Sequence, residues 1–354
     1  MNFLTFGRRS GLRVSELAFG TGNFGTGWGH GAERDEARAM FDGYLDAGGN
    51  FLDTADTYQA GQSEVLLGEF IKGQRDDLVV ATKYTMGALP GGGAGVSATG
   101  NSRKNMVRSV DASLTRLGTD YIDLLWTHLP DGVTPMEEIL RGFDDLVRSG
   151  KILYAGLSNF PAWRVARADL LAELRGWAPL AGIQIEYSLA ERTPDRELLP
   201  MAEALGLGVA TWSPLGGGFL TGKYRNQDAN ADGRLTKLGM LVHTETNARQ
   251  TALLDAVTSV AAQVDAPATH VAIAWLLARA RRSTTGIVPI LGSRTRAQFD
   301  ATIGALALKL GDTQLQQLDD ASAIPLGVPH DQAASSTASL NGRKTVAPRV
   351  VPVV

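Results

Sequence analysis

Residues 121–159, YIDLLWTHLPDGVTPMEEILRGFDDLVRSGKILYAGLSN, contain a complete β-α-β pattern. The apolar runs YIDLLWTH and ILYAGLSN predict two strands that are buried on both faces, as in a parallel sheet covered by helices. Between them, apolar residues recur at helical spacing along one face: Met136, Ile139, Leu140, Phe143, Leu146 and Val147. This stretch therefore predicts two parallel strands joined by a helix.

Local signals predict where the helices begin and end. Thr134 is expected to cap the helix of this unit and to form a capping box with Glu137, while Gly150 is expected to end it. In the preceding unit, Ser102 predicts the start of a helix and Gly118 predicts its end. These signals support helical connections between the strands.

The same alternation of strand and helix extends over most of the chain. The other predicted strands are LAFGT from Leu17, NFLDTA from Asn50, LVVATKY from Leu78, GIQIEY from Gly182, LGVATWSP from Leu207 and GIVPIL from Gly286. Eight βα units in roughly 290 residues match a closed barrel better than an open doubly wound sheet. The predicted fold class is therefore α/β, a (β/α)8 TIM barrel.

Segments outside this alternation predict the accessory parts of the fold. Residues 2–14 predict a hairpin that plugs the barrel floor, and residues 85–101 and 213–246 predict long rim loops on the catalytic face. We expect one barrel domain over residues 1–324. Residues 325–354 are rich in Pro, Ser, Thr and Ala, so we expect a weakly ordered tail or one that folds over the surface.

Composition restricts the classes of function. The chain has 354 residues, a net charge of -3 and no Cys, which excludes disulfides, thiolate nucleophiles and Cys-ligated metals. The five histidines show neither H-x-H nor HExxH spacing, so we predict no metal site. No long basic run and no apolar run of membrane-spanning length occur, and we therefore predict a cytoplasmic protein without nucleic-acid or membrane partners.

Polar residues at the ends of neighbouring predicted strands are the candidates for catalysis, because barrel enzymes act at the carboxyl ends of their strands. Asp53, Lys83 and His128 end the second, third and fourth strands, and Tyr58 follows Asp53 in the next loop. Taken singly, the Asp could be a turn residue, the His a buried structural residue and the Tyr a packing residue. Lys83 is harder to explain in that way, since lysine is rarely buried unless it is paired, and Asp53 is its natural partner.

This combination suits acid catalysis on a carbonyl group. An ordinary Tyr hydroxyl has a pKa near ~10, and a nearby ammonium lowers that pKa by favouring the phenolate. We therefore expect Lys83 to adjust Tyr58, Asp53 to orient Lys83, and His128 to bond the substrate carbonyl.

The motifs resemble those of the aldo-keto reductases, (β/α)8 barrels that reduce aldehydes and ketones with NADPH. The resemblance rests on NFLDTADTYQAGQSE from Asn50, LVVATK, WTH, GLSN, GIQIEYS, TWSPLGGGFLTGKY from Thr211, and PILGSR, in family order over roughly residues 3–320. The long loop after Trp212 most resembles the branch of potassium channel β subunits and related bacterial reductases. The resemblance implies that Tyr58 is the general acid and that Asp53, Lys83 and His128 complete a catalytic tetrad.

The resemblance also implies a cofactor site. Its members are Ser158, Asn159 and Gln184 at the carboxamide, Trp212 against the nicotinamide ring, Ser213, Leu215, Gly217, Lys223 and Arg234 over the pyrophosphate, and Gly292, Ser293, Arg294 and Gln298 at the adenosine end. Arg294 favours NADPH over NADH, since arginine suits a 2′-phosphate. Ala301 and Thr302 depart from the acidic residue and Asn usual in the family, which leaves NADH open as the less favoured alternative.

Aromatic residues on rim segments predict the substrate pocket. They are Phe24, Trp28, Tyr84, Trp126 and Phe219, and ordinary packing is an equal alternative for each. The expected partner is a small-molecule aldehyde or ketone, either a bulky ketone or a sugar or small aldehyde, and the protein is expected to be a monomer or a homo-oligomer.

Two other interpretations compete with a reductase barrel. The G-x-G-x-x-G stretch of Gly20, Gly22 and Gly25 suggests a Rossmann dehydrogenase, but Gly27, Gly29 and Gly31 delay the next helix to about Glu33. The second alternative is a regulatory subunit that binds NADPH and turns over only incidentally. The complete set of tetrad residues favours an enzyme.

Overall fold

A computed structural model describes residues 1–88, 95–225 and 243–344, and within them eight parallel strands form a closed barrel. The barrel strands are β3 (Ala18–Gly20), β4 (Phe51–Asp53), β5 (Val79–Tyr84), β6 (Ile122–Thr127), β7 (Ile152–Ser158), β8 (Leu180–Glu186), β9 (Gly208–Trp212) and β10 (Ile287–Gly292). Neighbours in sequence are neighbours in the barrel, and β10 closes it against β3. The predicted (β/α)8 barrel and all of its strands are confirmed.

Helices surround the barrel. They are α1 (Arg34–Asp46), α2 (Gln62–Ile71), α3 (Arg103–Leu117), α4 (Met136–Arg148), α5 (Ala162–Arg175) and α6 (Leu198–Leu205), followed by Ala248–Gln263, Ala268–Arg282, Arg296–Ile303, Asp312–Ser322 and His330–Leu340. Among the described residues no single helix is long and apolar enough to cross a membrane. Helices 248–263 and 268–282, which are bent by 96° relative to each other, together have the length and composition of a membrane span, but this is judged by length and composition alone.

The N-terminal hairpin closes the barrel floor. Its strands β1 (Phe3–Thr5) and β2 (Arg13–Ser15) pair in antiparallel fashion. Phe6, fully buried, packs edge to face on Phe51 and Trp126, with ring centroids 5.7 and 6.2 Å apart. A Cβ atom at Gly208 would lie 2.7 Å from the Phe6 ring, so a glycine is needed there for the plug to fit.

The alternation of side chains along each strand decides which residues reach the mouth of the barrel. On β5, Val79 and Ala81 belong to the interior cluster, whereas Val80 and Tyr84 belong to the outer layer between strands and helices. Because successive strand side chains point to opposite faces, Lys83 continues the interior row of Val79 and Ala81. It is the last interior residue of β5 and therefore lies at the carboxyl end of the barrel.

Most predicted helix ends are found, with one exception. Ser102 accepts a hydrogen bond from the Asn105 N–H (3.3 Å) at the start of α3, and Gly118 ends that helix. The predicted cap at Thr134 is wrong, because helix α4 begins after Pro135 without a side-chain cap. The Thr134 hydroxyl instead donates to Asp131 (2.6 Å), a stronger charge-assisted bond.

The segments predicted as loops and tail are described in part. Loop 85–101 is anchored at its end, where Asn101 accepts from the Thr85 hydroxyl (2.7 Å) and donates to the Leu129 carbonyl (2.9 Å). Residues 89–94, 226–242 and 345–354 lie outside the described residues. Within the predicted tail, helix 330–340 has no buried side chain. The boundary at residue 324 stays a prediction.

Candidate active site

The side chain of Lys83 connects three groups at the mouth of the barrel. Its Nζ donates to Asp53 Oδ2 (2.5 Å), to the carbonyl oxygen of Thr54 (2.7 Å) and to the hydroxyl oxygen of Tyr58 (3.1 Å). Lys83 and Asp53 are almost completely buried, and Tyr58 is partly exposed. The predicted partnership of Lys83 with Asp53 and Tyr58 is thus present as a set of direct contacts, and the Thr54 carbonyl is a partner that sequence reasoning missed.

Opposing effects act on the pKa of the Lys83 ammonium. Burial by itself lowers the pKa of the Lys83 ammonium, but the Asp53 carboxylate and the Tyr58 oxygen together raise that pKa above its ordinary value. The Nζ also lies 4.7 Å from the centroid of the Tyr58 ring. Lys83 therefore keeps a positive charge beside the Tyr58 hydroxyl.

His128 lies on the other side of Tyr58. Their ring centroids are 6.1 Å apart and the rings are nearly perpendicular (83°). Desolvation and the positive charge of Lys83 lower the pKa of His128 to about 3, so the imidazole is neutral at neutral pH. Its Nδ1 has no hydrogen-bond partner among the described residues. The four predicted catalytic side chains therefore come together around Tyr58.

Gln184 enters this group from the far side of the barrel. Its Nε2 donates to Asp53 Oδ1 (2.8 Å), so both carboxylate oxygens of Asp53 are bonded, one to Lys83 and one to Gln184. The family resemblance implied that Gln184 holds the cofactor carboxamide. The structure shows that its amide N–H group orients Asp53, a role that no local sequence signal indicates.

Asn159 joins the ends of neighbouring strands. It adopts a left-handed backbone conformation (φ 59°), its Nδ2 donates to the Ser158 hydroxyl (3.0 Å) and to the His128 carbonyl (3.2 Å), and its Oδ1 accepts from Trp212 Nε1 (3.1 Å). The partly exposed Trp212 indole is thereby fixed next to the tetrad. This is a rigid arrangement of polar and aromatic groups on which a planar ring can stack.

The loop after Trp212 continues along the rim. Ser213 and Gly217 have left-handed conformations (φ 55° and 64°), and Leu215 precedes the 3-10 turn Gly216–Thr221. Lys223 Nζ lies 4.7 Å from the centroid of the Tyr224 ring. Arg234, the remaining residue predicted at the pyrophosphate, lies outside the described residues.

The loop between β10 and the next helix supplies an open polar corner. Apart from the two chain neighbours of Gly292, no atom of the described residues lies within 4 Å of a Cβ built on it. Ser293 is buried and its Oγ has no hydrogen-bond partner among the described residues. Gln298 Oε1 accepts from the Arg294 N–H (3.0 Å), and the Arg294 side chain is partly exposed. An orphaned hydroxyl beside a partly exposed guanidinium fits a phosphorylated cofactor.

The departures at Ala301 and Thr302 have a structural basis. Thr302 is buried and its hydroxyl donates to the Gln298 carbonyl (2.7 Å) in its own helix. Ala301 is exposed, and its carbonyl accepts from His270 Nε2 (2.6 Å). Neither side chain offers a free polar atom for a nucleotide base.

The predicted aromatic pocket needs correction. Phe24 is completely buried, with its ring 5.6 Å from Phe19, and Tyr84 points into the outer layer, where its hydroxyl donates to Asn101. Phe219 is buried, and Trp126 lies in the barrel interior, packed on Phe6 of the floor plug. Burial keeps these side chains from a substrate at the rim.

Trp28 differs from the other predicted pocket residues. It is partly exposed, its ring centroid lies 6.1 Å from that of Tyr58, and the rings are nearly perpendicular (83°). Gln59, directly after Tyr58, accepts from the Trp28 N–H (3.0 Å) and thus fixes one loop to the other. Trp28 therefore forms a wall beside the Tyr58 ring, and Gln59 is a supporting residue that sequence reasoning missed.

The glycine-rich stretch does not form a dinucleotide-binding turn. Gly20 ends β3, and α1 begins at Arg34 after a cap at Glu33, as the glycine spacing predicts. The sheet is a closed barrel and not an open doubly wound sheet. The Rossmann alternative is therefore wrong.

Comparisons with known proteins agree with this architecture. Residues 16–323 match the model of the aldo/keto reductase family. The chain is 38% identical to a norsolorinic acid reductase of Aspergillus flavus over 90% of its length and 81% of that protein. It is 33% identical to an aryl-alcohol dehydrogenase of Pestalotiopsis microspora (90% and 82% covered), and 38% identical to the uncharacterized oxidoreductase YrpG of Bacillus subtilis (91% and 97% covered). The chain belongs to the aldo/keto reductase family.

Proposed function

We propose that the protein reduces an aldehyde or ketone to the alcohol with NADPH, and that Tyr58 donates the proton. Membership of the family supports carbonyl reduction in general. The observation that carries the finer proposal is the contact between Lys83 Nζ and the Tyr58 hydroxyl (3.1 Å), beside a neutral His128. This arrangement places an acid, its charge partner and a hydrogen-bond donor around one point.

Each side chain has a separate task in this proposal. As the carbonyl oxygen gains negative charge, the Tyr58 O–H transfers its proton to it, and the Lys83 ammonium stabilises the phenolate that remains. Asp53 holds Lys83 in place through its bond of 2.5 Å. The neutral His128 ring donates an N–H to the carbonyl oxygen and orients it toward Tyr58. The reaction is reversible, since the phenolate can take the proton back from an alcohol.

A bound NADPH would supply the hydride that adds to the carbonyl carbon. Trp212 would stack on its nicotinamide ring, Ser158 and Asn159 would lie along that ring, and Ser293 and Arg294 would bond its adenosine phosphate end. The Ser293 hydroxyl, which has no hydrogen-bond partner among the described residues, and the partly exposed Arg294 guanidinium support this orientation. Arginine suits a phosphate dianion, which favours NADPH over NADH.

An aryl carbonyl compound is the substrate class that the site supports best. The partly exposed ring of Trp28 lies nearly perpendicular to the ring of Tyr58. An aromatic substrate can stack on the Trp28 ring. One relative of the chain is an aryl-alcohol dehydrogenase, which supports the same substrate class. We therefore propose that the group next to the reacting carbonyl is an aromatic ring.

The experiment that tests this function has a binding stage and a turnover stage. Quenching of Trp fluorescence is followed with NADPH and with NADH, and NADPH is expected to bind more tightly. Benzaldehyde and cyclohexanecarbaldehyde are then compared as substrates, with Trp28→Leu as the variant. We expect wild type to prefer benzaldehyde and Trp28→Leu to lose that preference. Binding of NADPH without turnover of any carbonyl would favour the regulatory-subunit alternative.

A further inference from the structure

Asp56 is a buried carboxyl group in the loop that carries Tyr58. It is 2% exposed, and its backbone N–H donates to the carbonyl oxygen of Lys83 (3.0 Å). The Tyr58 N–H donates in turn to the Ala55 carbonyl (3.1 Å), so the segment from Ala55 to Tyr58 forms one turn fixed to the end of β5. A change at Asp56 therefore acts on the same segment that positions Tyr58 against Lys83.

The Asp56 side chain is only partly satisfied where it lies. The backbone N–H of Thr57 bonds the carboxyl group, but Oδ1 is buried and has no hydrogen-bond partner among the described residues. The nearby Glu64, fully buried on α2, is fully engaged: its Oε1 accepts from the Thr82 hydroxyl (2.5 Å) and its Oε2 accepts from Arg116 Nε (2.7 Å). Glu64 and Arg116 thus already form a complete pair beside Asp56.

The charges around Asp56 balance without it. The charged groups that act on Asp56 from α2, α3 and β5 are Glu64, Arg116 and Lys83, and both cations already have a partner, Arg116 with Glu64 and Lys83 with Asp53. An ionised Asp56 adds a fifth charge in a water-poor pocket, and a buried charge without a partner is costly. Burial and the negative charge of Glu64 accordingly raise the pKa of Asp56 to about 7.

We propose that Asp56 is a positioning residue for carbonyl reduction, and that the loss of its proton beside Glu64 slows proton donation from Tyr58. The inference rests on the proposed function of Tyr58. Two effects act in the same direction. Repulsion from Glu64 displaces the turn that holds Tyr58 against Lys83, and an added negative charge opposes formation of the Tyr58 phenolate. Reduction is therefore fastest while Asp56 is protonated.

The kinetic test compares pH profiles of kcat at saturating NADPH and benzaldehyde. Wild type is expected to lose about 3- to 10-fold between about pH 6 and about pH 8, whereas Asp56→Asn, a mimic of the protonated side chain, keeps its rate over that interval. Asp144→Asn is the matched control, because Asp144 is also buried but is paired with Arg148 on α4. That control is expected to keep the wild-type profile.

Glu64→Gln provides a second variant with a directional result. It removes the negative charge that keeps Asp56 protonated, so the fall in kcat is expected to begin at lower pH than in wild type. Carbon NMR of carboxyl-labelled aspartate, recorded without cofactor or substrate, gives a readout besides activity. A carboxyl resonance that titrates near neutral pH is expected in wild type, at lower pH in Glu64→Gln, and absent in Asp56→Asn.

The outcomes separate this inference from the proposed function. If Tyr58→Phe abolishes turnover while Asp56→Asn keeps the wild-type fall in kcat, the role of Asp56 is wrong and the function of Tyr58 stands. If Tyr58→Phe keeps full turnover, the proposed function is wrong. Should Asp56→Asn fail to fold, Glu64→Gln decides: a pH profile that does not move toward acid overturns the inference.

Discussion

Gln184 Nε2 bonds Asp53 Oδ1 across the barrel mouth, at 2.8 Å. The two residues belong to β8 and β4, which are separated by three strands on either side of the closed barrel. Asp53 is thereby fixed by Gln184 on one oxygen and by Lys83 on the other. The orientation of the Lys83 ammonium toward Tyr58 consequently depends on a residue that lies 131 positions away in sequence.

Replacing Gln184 tests this dependence. Gln184→Leu removes one bond to a charged carboxylate, a loss of about 1.5–3 kcal/mol, so kcat is expected to fall by roughly 10- to 100-fold. The kcat of Gln184→Glu is expected to fall further, because this variant places a second carboxylate next to Asp53. Steady-state kinetics with benzaldehyde gives the ratio, and a Gln184→Glu variant faster than Gln184→Leu would contradict the role in orienting Asp53.

Tyr58→Phe removes the proposed proton donor without removing the ring. Turnover is expected to fall by about 10²- to 10⁴-fold, the usual contribution of general acid catalysis, while NADPH binding is retained. Tyr121→Phe is the control, since the Tyr121 hydroxyl bonds the distant Asp76 (3.2 Å). Binding by Trp fluorescence and turnover by NADPH consumption are measured on both variants, and equal rates in the two would exclude Tyr58 as the donor.

Lys83→Met leaves a buried carboxylate without its partner. Removing one member of a buried ion pair costs about 3–5 kcal/mol, so the free energy of unfolding is expected to fall by that amount, together with a loss of turnover. Lys151→Met, which breaks an exposed pair with Asp111 (2.6 Å), is expected to cost only about 0–1 kcal/mol. Urea denaturation compares the variants, and equal losses would show that burial of Lys83 carries no special cost.

The pKa of His128 predicts a defined loss of stability in acid. The unfolded imidazole gains a proton near its ordinary pKa of 6.5, whereas in the folded protein that pKa is about 3. The contribution of a neutral His128 to the free energy of unfolding is therefore complete above about pH 6.5 and is lost as the pH falls toward about 3. We expect His128→Asn to lose less stability than wild type over this interval.

His243 serves as a control of opposite sign. Its bond to Glu186 (2.9 Å) raises the pKa of His243, so its contribution is complete below its ordinary pKa and is lost as the pH rises through the raised value. Urea denaturation of His128→Asn and His243→Asn at several pH values distinguishes the two. If the free energies of unfolding of both variants changed with pH in the same way, the neutral state of His128 would be contradicted.

Arg294→Met is expected to weaken the binding of NADPH but not that of NADH. Loss of a charge-assisted bond to a phosphate costs about 1.5–3 kcal/mol, so the Kd for NADPH is expected to rise by roughly 10- to 100-fold. The Kd for NADH, which has no 2′-phosphate, should change little and is the internal control. Equal weakening of both cofactors in a fluorescence titration would remove Arg294 from the recognition of the phosphate.

Local sequence patterns predicted the barrel because its strands and helices are encoded locally. The apolar runs and helical stripes around residues 121–159 suffice to indicate parallel strands joined by helices, and repetition of that pattern indicates closure. Local competition explains the one misplaced cap, since Asp131 takes the hydroxyl of Thr134. Strand ends likewise predicted Asp53, Lys83 and His128, because parallel strands bring their carboxyl ends to one mouth.

Sequence alone determined which elements form and which polar residues end them. The tertiary structure decided that Gln184 bonds Asp53, that Tyr84 faces the outer layer, and that Asp56 lies beside the pair of Glu64 and Arg116 with no partner for its Oδ1 among the described residues. The physical reason is the distance along the sequence over which each kind of interaction acts. Periodicity along a strand or helix depends on neighbours in sequence, whereas burial, hydrogen-bond partners and charge balance depend on residues that only the closed barrel brings into contact.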